Sequence, residues 1–185
     1  MKKIACLFPG IGYTCDKPLL YYSAKLLKSL DWEVIPVPYS GFPEKVRGDK
    51  NRMEQCAQMA LSQSEELLKD ISWNEYDQIL FIGKSVGTVA CTAYAKAHNL
   101  SCRQILFTPV EETFQYTTPD SPAIAFHGTK DPWADNGTIE EKCKEQHIPL
   151  YETEGANHSL ETGDVEKDLK ELRKVMKIVR EYVVY

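Results

Sequence analysis

The chain has 185 residues, 43% hydrophobic and 26% charged, with 22 basic and 27 acidic side chains for a formal charge of −5, which excludes a disordered or collagen-like polypeptide. Its length sits near the ~150 residues typical of one domain, so a single domain over 1–185 is expected, with a core large enough to need no disulfide or metal staple. The acidic balance argues against nucleic acid and anionic membrane as partners, and no stretch approaches the ~18 apolar residues of a membrane span.

The first apolar run, Ile4–Phe8, stops at Pro9 and Gly10 and is shorter than the ~7–15 residues of a signal-peptide core, so it reads as a strand. The six cysteines at 6, 15, 56, 91, 102 and 143 show no CxxC and no closely spaced framework; reduced, mostly buried thiols and a cytoplasmic location are the expectation. A helix is predicted over Lys17–Leu30, a strand over Glu33–Val37, and a helix over Arg52–Lys69. The strand Gln78–Ile82 then precedes the helix Val86–His98, and the strand Gln104–Phe107 precedes an unassigned stretch, Pro109–Pro122. The strand Ala123–Phe126, helix Thr138–His147, strand Leu150–Thr153 and helix Asp164–Val184 complete the chain.

Short β-rich runs separated by helical periodicity are the rhythm of a parallel sheet. The predicted fold is α/β, a doubly wound, mostly parallel six-stranded sheet with helices on both faces. The last helix carries Val165, Leu169, Leu172, Met176, Val179 and Val183 at spacings of three and four. That run is too short for a coiled coil, so the stripe is expected to pack on the sheet.

The third strand runs directly into Gly83-Lys84-Ser85-Val86-Gly87 and then into a helix. A Gly-x-Ser-x-Gly sequence suits a sharp strand-to-helix turn, because its glycines let neighbouring backbones approach while the serine is lifted to the carboxyl edge of the sheet. A phosphate loop is the competing reading of Gly83-Lys84-Ser85. It needs a glycine where Gln78 stands, and the residues between are the strand itself. Gly10-Ile11-Gly12 likewise lacks the third glycine of a dinucleotide fingerprint, having Cys15 there.

An acid and a base follow the serine, each just past a strand. Asp131 lies 46 residues after Ser85, and His158 lies 27 residues after Asp131 in the small-residue loop Gly155–His158, leaving room for about one βα unit in each interval. Of the other histidines, His127 sits at a strand end and reads as structural, while His98 and His147 end helices. Glu111 and Glu112, after the fourth strand, are the alternative acids. Cysteine and histidine spacings show no zinc pattern and the acidic residues no calcium loop, so no metal site is expected.

Taken in order, Phe8-Pro9-Gly10-Ile11-Gly12-Tyr13, Gly83–Gly87, Gly128-Thr129-Lys130-Asp131 and Asn157-His158 make the chain resemble the α/β-hydrolase fold family, in particular small members lacking the first two strands of the full sheet. It departs from the family in having Pro9-Gly10 where a His-Gly opening is common. The resemblance implies strand order 2-1-3-4-5-6, with Ser85 on the third strand beside the topological switch point. It further implies a nucleophilic Ser85, His158 as its base, Asp131 as the acid, and backbone N–H groups of Ile11 and Val86 as oxyanion donors.

On that reading the partner is a small-molecule acyl substrate, an ester or thioester, and no metal or organic cofactor is required. The interval Thr108–Pro122 is too short for a helical cap, and Tyr13, Phe114 and Trp133 are the candidates to line the substrate cleft, with Tyr116 beside them. Two alternatives stay open: a catalytically silent hydrolase-fold binding or scaffold protein, and a doubly wound binding protein of another kind.

Overall fold

The computed structural model describes residues 1–119 and 121–185. The elements are β1 Lys3–Phe8, α1 Pro18–Ser29, β2 Glu33–Pro36, α2 Lys50–Leu68, β3 Gln78–Lys84, α3 Val86–Ala97, β4 Arg103–Phe107, β5 Ala123–Gly128, α4 Asn136–Glu145, β6 Leu150–Thr153 and α5 Val165–Val184, with short 3₁₀ turns at Trp73–Glu75 and Glu111–Gln115. The sheet has the order β2-β1-β3-β4-β5-β6 with every neighbouring pair parallel.

Helices cover both faces, which is why β1, β3, β4 and β5 are nearly continuous apolar runs instead of alternating ones. Period two still decides which residue meets which layer. Ile4, Cys6, Phe8 and Phe81 point into the layer of α2, α3 and α4 with Cys56, Ala90, Tyr94 and Ile139. Ala5, Leu7, Leu80, Ile82, Ile105 and Phe107 point the other way, onto Leu20 and Leu27 of α1 and Val175, Val179 and Val183 of α5.

Helix starts follow local capping. The carboxylates of Asp49, Asp135 and Asp164 accept the N–H groups of Arg52, Thr138 and Lys167 at 3.1, 2.9 and 3.1 Å, satisfying donors that a first turn leaves free. α2 and α4 therefore begin two residues earlier than their apolar periodicity predicts, because the caps lie ahead of it. α5 corrects the predicted stripe: Val165 and Leu169 are 72% and 62% exposed, while Val175, unmarked in the sequence pattern, is buried. Val165 and Leu169 instead line an open cavity with Pro18 and Leu19 at the start of α1, and the buried contacts of α5 with the sheet layer are made by Val175, Val179 and Val183.

β1 returns to β2 on one side of itself while β3 pairs on the other, so the switch point lies between β1 and β3, the position at which sheets of this kind commonly bind ligands outside the carboxyl ends of the strands. The loops after β1, β3, β5 and β6 all emerge along this edge. Between β4 and β5 the described residues carry a single 3₁₀ turn, Glu111–Gln115, and no cap. No helix of the described residues is long and apolar enough to cross a membrane.

Candidate active site

Ser85 stands between β3 and α3 with φ 54° and ψ −125°, a conformation that costs a non-glycine residue on the order of 1–3 kcal/mol. The neighbours hold it there. Its N–H donates to the Phe107 carbonyl at 3.0 Å, and its carbonyl accepts the N–H and the hydroxyl of Thr88 at 2.8 and 2.6 Å. A side chain at Gly87 would place Cβ 2.0 Å from the Phe8 carbonyl oxygen, and one at Gly83 would lie 2.7 Å from Thr88 Cα. The two glycines are thus what allow α3 to start directly under the nucleophile candidate and against the end of β1.

Asp131 sits in the turn after β5, its N–H bonded to the Gly128 carbonyl at 2.9 Å and its Oδ1 accepting the Trp133 N–H at 2.8 Å. His158 sits in the loop after β6, which Asn157 folds by accepting the N–H groups of Ser159 and Glu161 on Oδ1 at 2.7 and 3.3 Å. The two loops are tied together: Lys130 N–H reaches the Ala156 carbonyl at 3.0 Å, and Gly155 N–H reaches Thr129 Oγ1 at 2.8 Å.

These turns bring three side chains into line. His158 Nδ1 lies 2.6 Å from Asp131 Oδ2, and His158 Nε2 lies 2.7 Å from Ser85 Oγ. An ionised carboxylate only accepts, so Nδ1 carries the ring proton and Nε2 is left to accept the Ser85 hydroxyl proton. Burial opposes ionisation of Asp131, yet the hydrogen bond and charge of His158, the Trp133 N–H and His127 hold its carboxyl below the usual range. Burial, reinforced by the charge of Lys84 and only partly opposed by Asp131, lowers His158 to about 4. At neutral pH the imidazole is an uncharged base beside a serine that is 5% exposed.

The Gly10–Tyr13 turn, closed by Gly10 N–H to Tyr13 O at 3.1 Å and Tyr13 N–H to Gly10 O at 3.4 Å, packs against the serine. A Cβ on Gly10 would lie 3.1 Å from Ser85 Cβ. The Ile11 N–H at the tip of this turn and the Val86 N–H in the first turn of α3 make no hydrogen bond among the described residues. Free amides at a helix start and a tight turn are suited to hold an anion.

The cleft-lining candidates separate. Trp133 lies beside the site, its ring stacked on the His158 imidazole with centroids 5.4 Å apart and planes 25° apart. Tyr13 is instead buried, its hydroxyl accepting the Leu19 N–H at 3.0 Å, because its turn folds the ring beneath the sheet edge. Phe114 is likewise a core residue at 6% exposure; the 3₁₀ turn tucks it against α3 and α4, beside a cavity of about 610 Å³ that also involves Glu111, Glu112 and Tyr116 and that neither Ser85 nor His158 lines. Those glutamates do not approach the imidazole.

Sequence reasoning missed the setting of Lys84, while His127 is the structural strand-end residue it predicts. Lys84, weighed only as a phosphate-loop lysine, is fully buried beside the serine with Nζ 4.9 Å from the Tyr13 ring centroid; alternation with Leu80 and Ile82 was the available signal. His127 is fully buried with Nδ1 3.7 Å from Asp131 Oδ2 and no hydrogen-bond partner on either ring nitrogen among the described residues. Among the described residues no cluster of His, Cys, Asp and Glu could hold a metal ion.

No protein-family model and no curated protein sequence matches the chain. Solved structures do. An alpha-beta serine hydrolase homologue from Coxiella burnetii superimposes with a TM-score of 0.68 at 16% identity over 95% of this chain and 84% of that one. A serine hydrolase without lid from Xanthomonas campestris gives 0.63 at 13% identity over 97% and 81%. Est1E from Butyrivibrio proteoclasticus, with ferulic acid bound, gives 0.70 at 10% identity over 99% and 90%. With its six parallel strands in the order 2-1-3-4-5-6, the chain has the α/β-hydrolase fold.

Proposed function

We propose that the protein is a serine hydrolase that cleaves a small-to-medium carboxylic ester or thioester through an acyl-Ser85 intermediate. The observation that carries this reading is the continuous relay from Ser85 Oγ through His158 to Asp131, at 2.7 and 2.6 Å. His158 Nε2 takes the hydroxyl proton as Ser85 Oγ attacks the acyl carbon. The N–H groups of Ile11 and Val86 receive the oxyanion, and Asp131 holds the imidazolium that forms. His158 then passes its proton to the departing alcohol or thiol, and a water, deprotonated by the same nitrogen, releases the acid.

The described residues between β4 and β5, which form no lid, support a dissolved substrate, and the ferulic acid in Est1E makes esters with an aromatic acyl group worth setting beside aliphatic ones. The test is labelling by a fluorophosphonate probe together with hydrolysis of oxygen and sulfur esters of graded acyl length. Ser85-dependent labelling and turnover are expected; labelling that survives in Ser85→Ala overturns the assignment.

A further inference from the structure

A lysine ammonium in a dry core is costly, and a methionine would fill the same space without that cost. Lys84 is fully buried nonetheless, on the same face of β3 as Leu80 and Ile82. Its Nζ lies 4.9 Å from the centroid of Tyr13, within reach of the negative face of the ring. Tyr13 is fixed in turn by the Leu19 N–H on its hydroxyl and by its reciprocal backbone bonds to Gly10, so the ring on which Lys84 rests belongs to the turn that presents the Ile11 N–H. The backbone connection is equally short: Lys84 is the residue before Ser85, and its carbonyl oxygen lies 3.1 Å from where a Gly10 Cβ would stand.

The titratable groups whose fields meet here come from every neighbouring element. They are Tyr13 after β1, His127 on β5, Asp131 after β5 and His158 after β6, with Glu161 beyond Tyr13 and Asp135 and Glu152 beyond His127. With Lys84 protonated, Asp131 ionised and both imidazoles neutral, Lys84 and Asp131 cancel. When Ser85 attacks, a positive imidazolium and a negative oxyanion appear together; the buried Lys84 charge opposes the first and, through the Tyr13 turn on which it rests, favours the second.

Resting on the hydrolase reading, we infer that Lys84 is a positioning residue, whose buried cation braces the Gly10–Tyr13 turn and acts as counter-charge to the oxyanion formed at Ser85. Burial, only partly offset by Asp131, lowers the lysine to about 7, so the counter-charge is present below neutrality and fades above it. A purely structural lysine would not produce that dependence.

The experiment compares kcat/KM for p-nitrophenyl acetate between pH 4 and 9 in the wild type and Lys84→Met, with fluorophosphonate labelling as a count of competent sites. Expected is a deficit in the variant of about tenfold at pH 6 that shrinks as pH passes 8, a size in keeping with one nearby charge in a low-dielectric site. The acid limb of the variant should also move to higher pH, because the cation no longer opposes protonation of His158. A deficit constant across pH, or superposable profiles, overturns the role of Lys84 while leaving the hydrolase reading intact; absence of Ser85-dependent turnover in the wild type overturns both. Should Lys84→Met fail to fold, carbon NMR of the ε-carbons in lysine-labelled Ser85→Ala decides the charge switch. One lysine titrating near neutrality supports it, and all lysines titrating above pH 9 overturn it.

Discussion

Trp133 and His158 are joined twice: their rings stack at 5.4 Å, and the Trp133 N–H is donated to the same Asp131 carboxylate that binds the imidazole. The indole therefore orients the ring from its face while its backbone orients the acid. It also shields the imidazole from water, and burial is the main cause of the low basicity of His158. Trp133→Ala is expected to lower kcat about tenfold and to move the acid limb of the pH profile upward, toward an ordinary histidine near 6.5. Trp133→Phe, which keeps a stacking ring, should retain most of both. An unmoved acid limb in Trp133→Ala would show that the indole contributes shape alone.

Asp131→Asn should reduce turnover by a factor on the order of 10⁴, the loss known for the equivalent change in a serine protease, because an amide can present the wrong tautomer to the ring. Glu111→Gln should leave kcat within about twofold, since its 3₁₀ turn packs on α3 and α4, away from His158. Steady-state kinetics of the two variants side by side check both statements.

The backbone at Ser85 stores strain that glycine would not feel. Ser85→Gly and Ser85→Ala both lose the nucleophile and its bond to His158, so the difference between them isolates the conformation at φ 54°. The glycine variant is expected to be the more stable by about 1 kcal/mol, the strain relieved outweighing the entropy of a freer unfolded chain. Equal midpoints in urea would contradict this.

Lys84 also makes a statement about stability. Its proton leaves near pH 7 in the folded protein and near 10.5 in the unfolded chain, so between these values the unfolded chain binds more protons and stability rises with pH. Lys84→Met removes that contribution. The variant should be more stable than the wild type at pH 6 by a few kcal/mol, at roughly 1.4 kcal/mol for every pH unit separating the folded and unfolded titrations, and the gap should close toward pH 10. Urea unfolding at pH 6 and pH 9.5 measures it; a gap of one size at both would mean that Lys84 keeps its charge when folded.

With no cap among the described residues between β4 and β5, activity should not depend on an interface. Hydrolysis of a short ester is expected to follow a smooth saturation curve as its concentration crosses the solubility limit. A sharp jump on forming droplets would refute that.

Much of the site is written locally. In a parallel α/β sheet every βα loop emerges at one edge, so a serine, an acid and a histidine that each follow a strand must converge on that edge wherever they lie along the chain. The strand running into Gly83–Gly87, the turn at Asp131 and the small-residue loop at His158 were therefore legible from β-rich runs, glycine spacing and chain order. Other features depended on which layer covers a residue and how far that layer extends. Val165 and Leu169 continue the apolar spacing of α5 but stay exposed, and Phe114 and Tyr13 turn inward because their short turns dock on α3 and beneath the sheet edge. The burial of Lys84 against Tyr13 and the stacking of Trp133 on His158 join loops from separate strands. Composition and periodicity record the period of each segment; the partner across the fold is set by packing between segments distant in sequence, and only the tertiary structure holds that information.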